Sequence, residues 1–226
     1  MNRFLVSMII VFLFLNISHA QEKYTISLPD NYDKAKAYPL FIVFHGGNSS
    51  MKSISKWWKS KRLSNEFIVA YFEASTLDNK PNYYGWRNLV KERDNIKQYY
   101  KAILCAHKID ANQVYVGGFS LGGKVSVDLA LNQIIPVKGL ISLNHGGGTT
   151  SFFTDNNVNK AKALDVRFVL ISGEKDMRYK KETEKIKNIL DKHKVFHKLI
   201  NVKNLGHSVP DDFSTTLDDY IEFIVQ

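Results

Sequence analysis

The chain has 226 residues, 44% of them hydrophobic, which is one domain of ordinary size with enough apolar material to bury a substantial core. Its formal net charge is +9, yet the lysines, those from Lys52 to Lys203 included, are scattered rather than concentrated in one run, so a solvated basic surface is expected and nucleic-acid binding is not. The single cysteine, Cys105, excludes an intramolecular disulfide and reads as a small buried apolar side chain, leaving stability to packing.

Met1-Asn2-Arg3, an apolar run from Phe4 to Leu15 and the end Ser18-His19-Ala20 together read as a secretory signal peptide over residues 1–20. An apolar run of about 12 residues falls short of the roughly 20 that span a bilayer, and no cysteine is placed to carry a lipid. A secreted or periplasmic protein, without stable membrane insertion, is therefore expected, with residues 21–226 as one domain.

Strand-like apolar runs follow at Tyr24–Leu28, Leu40–Phe44, Phe67–Phe72, Val114–Val116, Gly139–Leu143, Arg167–Ser172 and Phe196–Val202. Helical stretches are predicted at Ile54–Leu63, Asp94–His107, Gly123–Leu131, Lys181–His193 and Pro210–Phe223. The alternation predicts an α/β fold, a mostly parallel central sheet with helices on both faces. The unbroken hydrophobicity of Phe41–Phe44 and Phe168–Ile171 suits strands buried on both sides. Only about 22 residues separate the strand ending near Leu143 from the next, too few for a large cap domain, so an open site is expected. One of Trp57 and Trp58 is expected to pack into the core, whereas Tyr84 and Trp86 fall in a long loop (Asn82 to Arg87) where exposed rings would stack on a sugar or an aromatic acyl group.

The chemistry concentrates at Gly118-Phe119-Ser120-Leu121-Gly122, between the strand-like Gln113–Gly117 and a helix. A serine at such a turn has a strained backbone and an outward hydroxyl, and the glycines two positions to either side allow backbone to approach closely. Ser120 is thus the candidate nucleophile. A serine hydroxyl needs a base and a group that orients the base. His207, in Leu205-Gly206-His207-Ser208 after the last strand, is the best base; Asp176, in Ser172-Gly173-Glu174-Lys175-Asp176 at another carboxyl end, is the natural acid, with Glu174 as runner-up. The order serine, acid, histidine is that of an α/β-hydrolase rather than of chymotrypsin or subtilisin.

An oxyanion needs two donors. The Leu121 N–H is one; the second is expected from His45-Gly46-Gly47-Asn48, with Gly47 preferred and Gly46 next. His145-Gly146-Gly147-Gly148 is assigned instead to a pocket wall or flexible loop. His45, Phe119, Asn144 and His145, with Tyr84 and Trp86, are the candidate substrate contacts; for Asn144 and His145 a hydrogen-bonded loop role is the alternative.

These residues resemble the α/β-hydrolase superfamily over nearly all of residues 21–226. Leu28-Pro29-Asp30-Asn31-Tyr32, Tyr38-Pro39-Leu40 leading to His45-Gly46-Gly47, Ile109-Asp110 before Gln113–Ser120, and Gly206-His207 resemble the secreted esterases that include feruloyl and acetyl xylan esterases and polyhydroxybutyrate depolymerases. The resemblance implies serine ester hydrolysis without metal or cofactor. The substrate expected is an acyl, feruloyl or acetyl ester, small or attached to a polysaccharide, and the protein is expected to be a monomer. The same triad serves peptidases, thioesterases, lipid esterases and acyltransferases, and a non-catalytic carbohydrate-binding protein would keep the same fold.

Overall fold

The structure, a computed structural model, describes residues 23–77 and 84–226. The expected signal peptide lies outside the described residues, as do Asn82 and Tyr83. A seven-stranded sheet is built from β1 (Tyr24–Ser27), β2 (Tyr38–Phe44), β3 (Ile68–Phe72), β6 (Ile109–Phe119), β7 (Gly139–Leu143), β8 (Arg167–Gly173) and β9 (His197–Val202), in the order β1-β3-β2-β6-β7-β8-β9. Every pairing is parallel except that of β1 with β3. A two-stranded ladder of β4 (Thr76–Leu77) and β5 (Tyr84–Gly85) stands apart.

Helices cover both faces, as the alternation of elements implies. On β2, Leu40, Ile42 and Phe44 join one core cluster and Phe41 and Val43 the other, because successive side chains point to opposite faces. The first cluster is closed by α3 (Leu89–Ala106), α4 (Leu121–Asn132), α5 (Asp155–Ala163) and α6 (Met177–His193), and the second by α1 (Met51–Ile54), α2 (Lys61–Glu66) and α7 (Phe213–Val225). Both sides of the central strands are therefore dry, which is why they read as continuous apolar runs.

Three expectations are corrected. The helix predicted over Ile54–Leu63 is two short helices, because Ser50 and Ser60 each take an extended backbone and cap a new first turn; the Ser60 hydroxyl accepts from the Leu63 N–H at 3.2 Å. Helix α5 was not expected: its nine residues carry only two buried apolar side chains, Val158 and Ala161, and its start is marked by Thr154, whose hydroxyl accepts from the Asn157 N–H. It packs against the first core cluster, so residues 144–166 form no cap over the sheet edge. Cys105 is exposed rather than buried, because α3 turns Ile96, Tyr100 and Ile103 inward and leaves Cys105 on its outer face.

Of the tryptophan pair, Trp58 enters the core at 1% exposure and Trp57 stays 42% exposed. The Trp58 ring lies over Gly117 of β6, where a side chain would occupy the indole's space, and its centroid is 4.9 Å from that of Phe213 on α7. It thus ties the α1–α2 connection to the sheet and to the last helix. Trp58→Ala is expected to lower the unfolding free energy by about 3–5 kcal/mol, while Trp57→Ala stays within about 0.5 kcal/mol; urea denaturation of the two variants checks the difference.

Candidate active site

Ser120 sits between β6 and α4 with φ 55° and ψ −118°, a backbone that a residue with a side chain rarely adopts. The turn is closed by backbone contact. A Cβ on Gly122 would collide with the Phe44 carbonyl, and one on Gly118 would lie 2.7 Å from that oxygen and 2.5 Å from the Gly122 carbonyl carbon. The Ser120 N–H donates to the Leu143 carbonyl at 2.9 Å, and its carbonyl accepts from Gly146 at 2.8 Å and Lys124 at 3.0 Å. The serine is therefore fixed by its own helix and by the end of β7, leaving the hydroxyl to project.

That hydroxyl meets His207. Ser120 Oγ lies 2.9 Å from His207 Nε2, and His207 Nδ1 lies 2.6 Å from Asp176 Oδ2. A carboxylate can only accept, so Nδ1–H donates to Asp176 and Nε2 keeps the lone pair that accepts from the serine hydroxyl. Asp176 is buried whereas the His207 ring is partly open, so the acid is shielded and the base remains reachable. Two rings flank the imidazole, Phe119 with its centroid at 5.2 Å and Tyr179 at 5.1 Å. The runner-up acid, Glu174, is exposed and accepts from the Asn204 N–H instead.

On the oxyanion side, Leu121 follows Ser120 as the first residue of α4, and Gly46 is packed against Phe119 so closely that a Cβ would stand 3.0 Å from the ring. Gly47 forms the next turn. His45 does not line the site: it is fully buried behind this loop. Its Nδ1–H donates to the Gly46 carbonyl at 2.6 Å, and Nε2 sits 2.8 Å from Glu73 Oε1 and 3.2 Å from the Ala74 N–H. The same Glu73 oxygen accepts from the Met51 N–H, which anchors α1 to the loop. Trp86 and Tyr84 are buried too, against the expectation of exposed rings. The Trp86 indole N–H donates to the His45 carbonyl at 2.8 Å, so this loop folds back to brace His45-Gly46 and offers no stacking platform there.

Asn144 and His145 also lie beneath the surface, with the hydrogen-bonded role that was the alternative for both. Asn144 bonds the loops that carry the acid and the base. His145 Nδ1–H donates to the Gly146 carbonyl at 3.3 Å, and Nε2 lies 2.9 Å from the Thr183 hydroxyl, which also reaches the Tyr179 carbonyl at 3.2 Å. The string His145-Gly146-Gly147-Gly148, expected to be a pocket wall or a flexible loop, is clamped: Lys124 donates to the Gly147 carbonyl, and Glu182 accepts from the N–H groups of Gly148 and of Thr150 just after it. Burial alone would raise the Glu182 carboxyl, but the donors of Thr150, the neighbouring His145 and Gly148 hold it below its usual range.

A cleft of about 570 Å³ opens beside the base, lined by Lys56, Trp57, Phe119, His207, Val209 and Pro210. Of the expected contacts only Phe119 is on its wall. Trp57, Tyr179 and Val209 were missed: Trp57 meets Phe119 and Tyr179 meets His207 only through the packing of segments far apart in sequence, whereas Val209 follows His207 by two residues; the exposed tryptophan beside a core one at Trp57-Trp58 was the available signal for the first. Among the described residues no group of side chains has the arrangement to hold a metal, and no helix is long and apolar enough to cross a membrane.

Burial holds the His145 imidazole below its ordinary value, since a charged ring at that depth is poorly solvated. The unfolded chain then binds a proton near pH 6.5 that the folded protein refuses, so stability is retained above that pH and lost as pH falls below it. The unfolding free energy from urea denaturation is expected to fall from pH 7.5 to 5.5 by more for the parent protein than for His145→Gln, the difference reaching up to about 1.4 kcal/mol per pH unit below the unfolded value.

The family profile described as Phospholipase/Carboxylesterase matches residues 32–225. Feruloyl esterase D of Neurospora crassa is 33% identical over 136 residues, 54% of this chain and 45% of that protein, so the chain spans less than half of that relative. Among solved structures, an uncharacterized protein from Bacillus cereus superposes with a TM-score of 0.75 at 22% identity, over 84% of this chain and 61% of that one. A ferulic acid esterase from Anaeromyces mucronatus superposes with a TM-score of 0.65 at 18% identity, over 89% and 83%. Sheet order, strained serine turn and a match over almost every described residue agree: the chain belongs to the Phospholipase/Carboxylesterase family of α/β-hydrolases.

Proposed function

We propose that this protein is a serine carboxylic-ester hydrolase that works through an acyl-enzyme. The observation that carries the reading is the unbroken relay from Ser120 Oγ to His207 Nε2 at 2.9 Å and from His207 Nδ1 to Asp176 at 2.6 Å, on a serine whose backbone is held in a strained conformation. In this mechanism Ser120 Oγ attacks the ester carbonyl while its proton passes to His207 Nε2. Asp176 stabilises the imidazolium and keeps it oriented. The negative charge on the former carbonyl oxygen is met by the Leu121 N–H and an N–H of the Gly46-Gly47 loop. Collapse expels the alcohol, which takes the proton from His207. Water, deprotonated by the same histidine, then releases the acid and restores Ser120.

The substrate class in this reading is an acyl, acetyl or feruloyl ester of a carbohydrate. A cleft open to solvent with Trp57 and Phe119 on its walls suits a planar or short acyl group on a larger alcohol, and the likeness to a feruloyl esterase points the same way. Export through a signal peptide at residues 1–20 belongs to the proposal, since such esters lie outside the cell. Residues 21–226, purified and assayed with p-nitrophenyl esters from acetate to palmitate and with methyl ferulate, are expected to turn over acetate or ferulate fastest. Ser120→Ala is expected to lower kcat at least about 10⁴-fold. A preference for palmitate would redirect the reading to lipids; full activity of Ser120→Ala would refute the mechanism.

A further inference from the structure

Asn144 follows β7 directly, is 1% exposed and takes φ 44°, a left-handed backbone that asparagine tolerates better than most residues. Its N–H donates to the Ile171 carbonyl at 2.8 Å, fixing it against the neighbouring strand. The carboxamide then faces two loops at once. Oδ1 accepts from the Gly173 N–H at 2.8 Å, at the strand end that leads into Asp176. Nδ2 donates to the Ser208 carbonyl at 2.8 Å, with the Gly206 carbonyl at 3.4 Å, so it touches the backbone on both sides of His207.

The two loops cross here with no room to spare: a Cβ on Gly173 would stand 2.5 Å from the Leu205 carbonyl and would collide with that of Gly206. Other bonds between them, Glu174 N–H to Val202 and Lys175 N–H to Leu205, hold the chain before His207. Asn144 reaches the residue after it. A donor is needed toward Ser208 and an acceptor toward Gly173, and a carboxamide supplies both where a carboxylate or a methyl group cannot.

Resting on the serine esterase reading, we propose that Asn144 is a positioning residue, which sets the His207 ring against both Asp176 and Ser120 by bonding its loop to the acid's strand. Asn144→Asp keeps the backbone and the acceptor but turns an oxygen toward Ser208; Asn144→Gly keeps the left-handed backbone without strain and removes the clamp. Each is expected to lower kcat for the best ester about 10- to 100-fold with KM changed less than about threefold, the size expected of a catalytic group displaced by about 1 Å. A downfield proton resonance of His207 Nδ1–H is expected in the resting parent protein, from its 2.6 Å bond to Asp176, and is expected to vanish or broaden in both variants. A kcat per folded molecule within about twofold of the parent, with the resonance intact, overturns the proposal even if the thermal midpoint falls. If the parent hydrolyses no ester, the esterase reading fails, while the resonance comparison on the resting protein still decides the role of Asn144.

Discussion

The site depends on backbone meeting backbone where β6 turns into α4. Phe44 at the end of β2 presses its carbonyl against Gly118 and Gly122, and no side chain fits at either position. Only with that approach can the chain reverse within one residue and leave Ser120 at φ 55°. Such a conformation costs on the order of 1–3 kcal/mol and persists because the surroundings over-determine it. The bonds from Ser120 to Leu143, Gly146 and Lys124 are those surroundings, and they tie the serine to the next strand as well as to its own helix.

From that turn the remaining geometry follows strand by strand. The order β2-β6-β7-β8-β9 sets the carboxyl ends side by side, so His45-Gly46, Ser120, Asn144, Asp176 and His207 stand along one edge although they span more than half of the sequence. Parallel strands make this automatic, since each loop leaves from the same edge. What is particular to this chain is the layer beneath. His45, Trp86 and Glu73 brace the glycine loop, Asn144 joins the acid and base loops, and His145 with Thr183 fastens α6 below the base. Buried polar groups are costly unless paired, and these are paired with the backbone of the functional loops, so their burial also makes those loops rigid.

Much of this was legible in the sequence. The candidate triad was, because a glycine-flanked serine between strand and helix has few other uses, and because acid and histidine each follow an apolar run. The continuous hydrophobicity of β2 and β8 likewise announced central strands. What escaped reading was what depends on long-range packing. Trp86 and His45 look like pocket residues from their neighbours, and only the return of the β5 loop over His45 buries them. Helix α5 escaped because its apolar stripe is two residues wide, and the break at Ser55–Ser60 because a serine N-cap inside an amphipathic pattern resembles one more polar position. Cys105 was misread on residue type alone, although its place on α3 relative to Ile96, Tyr100 and Ile103 already set it on the outer face.

The central claim is that the fold itself activates Ser120 through His207. It is tested most directly by treating purified protein with a fluorophosphonate and locating the adduct by intact-mass and peptide mass spectrometry. The account predicts one equivalent of label per chain, all of it on Ser120, and slow labelling once His207 is replaced by alanine. Label on another residue, or labelling of Ser120 at an unchanged rate without His207, would contradict it.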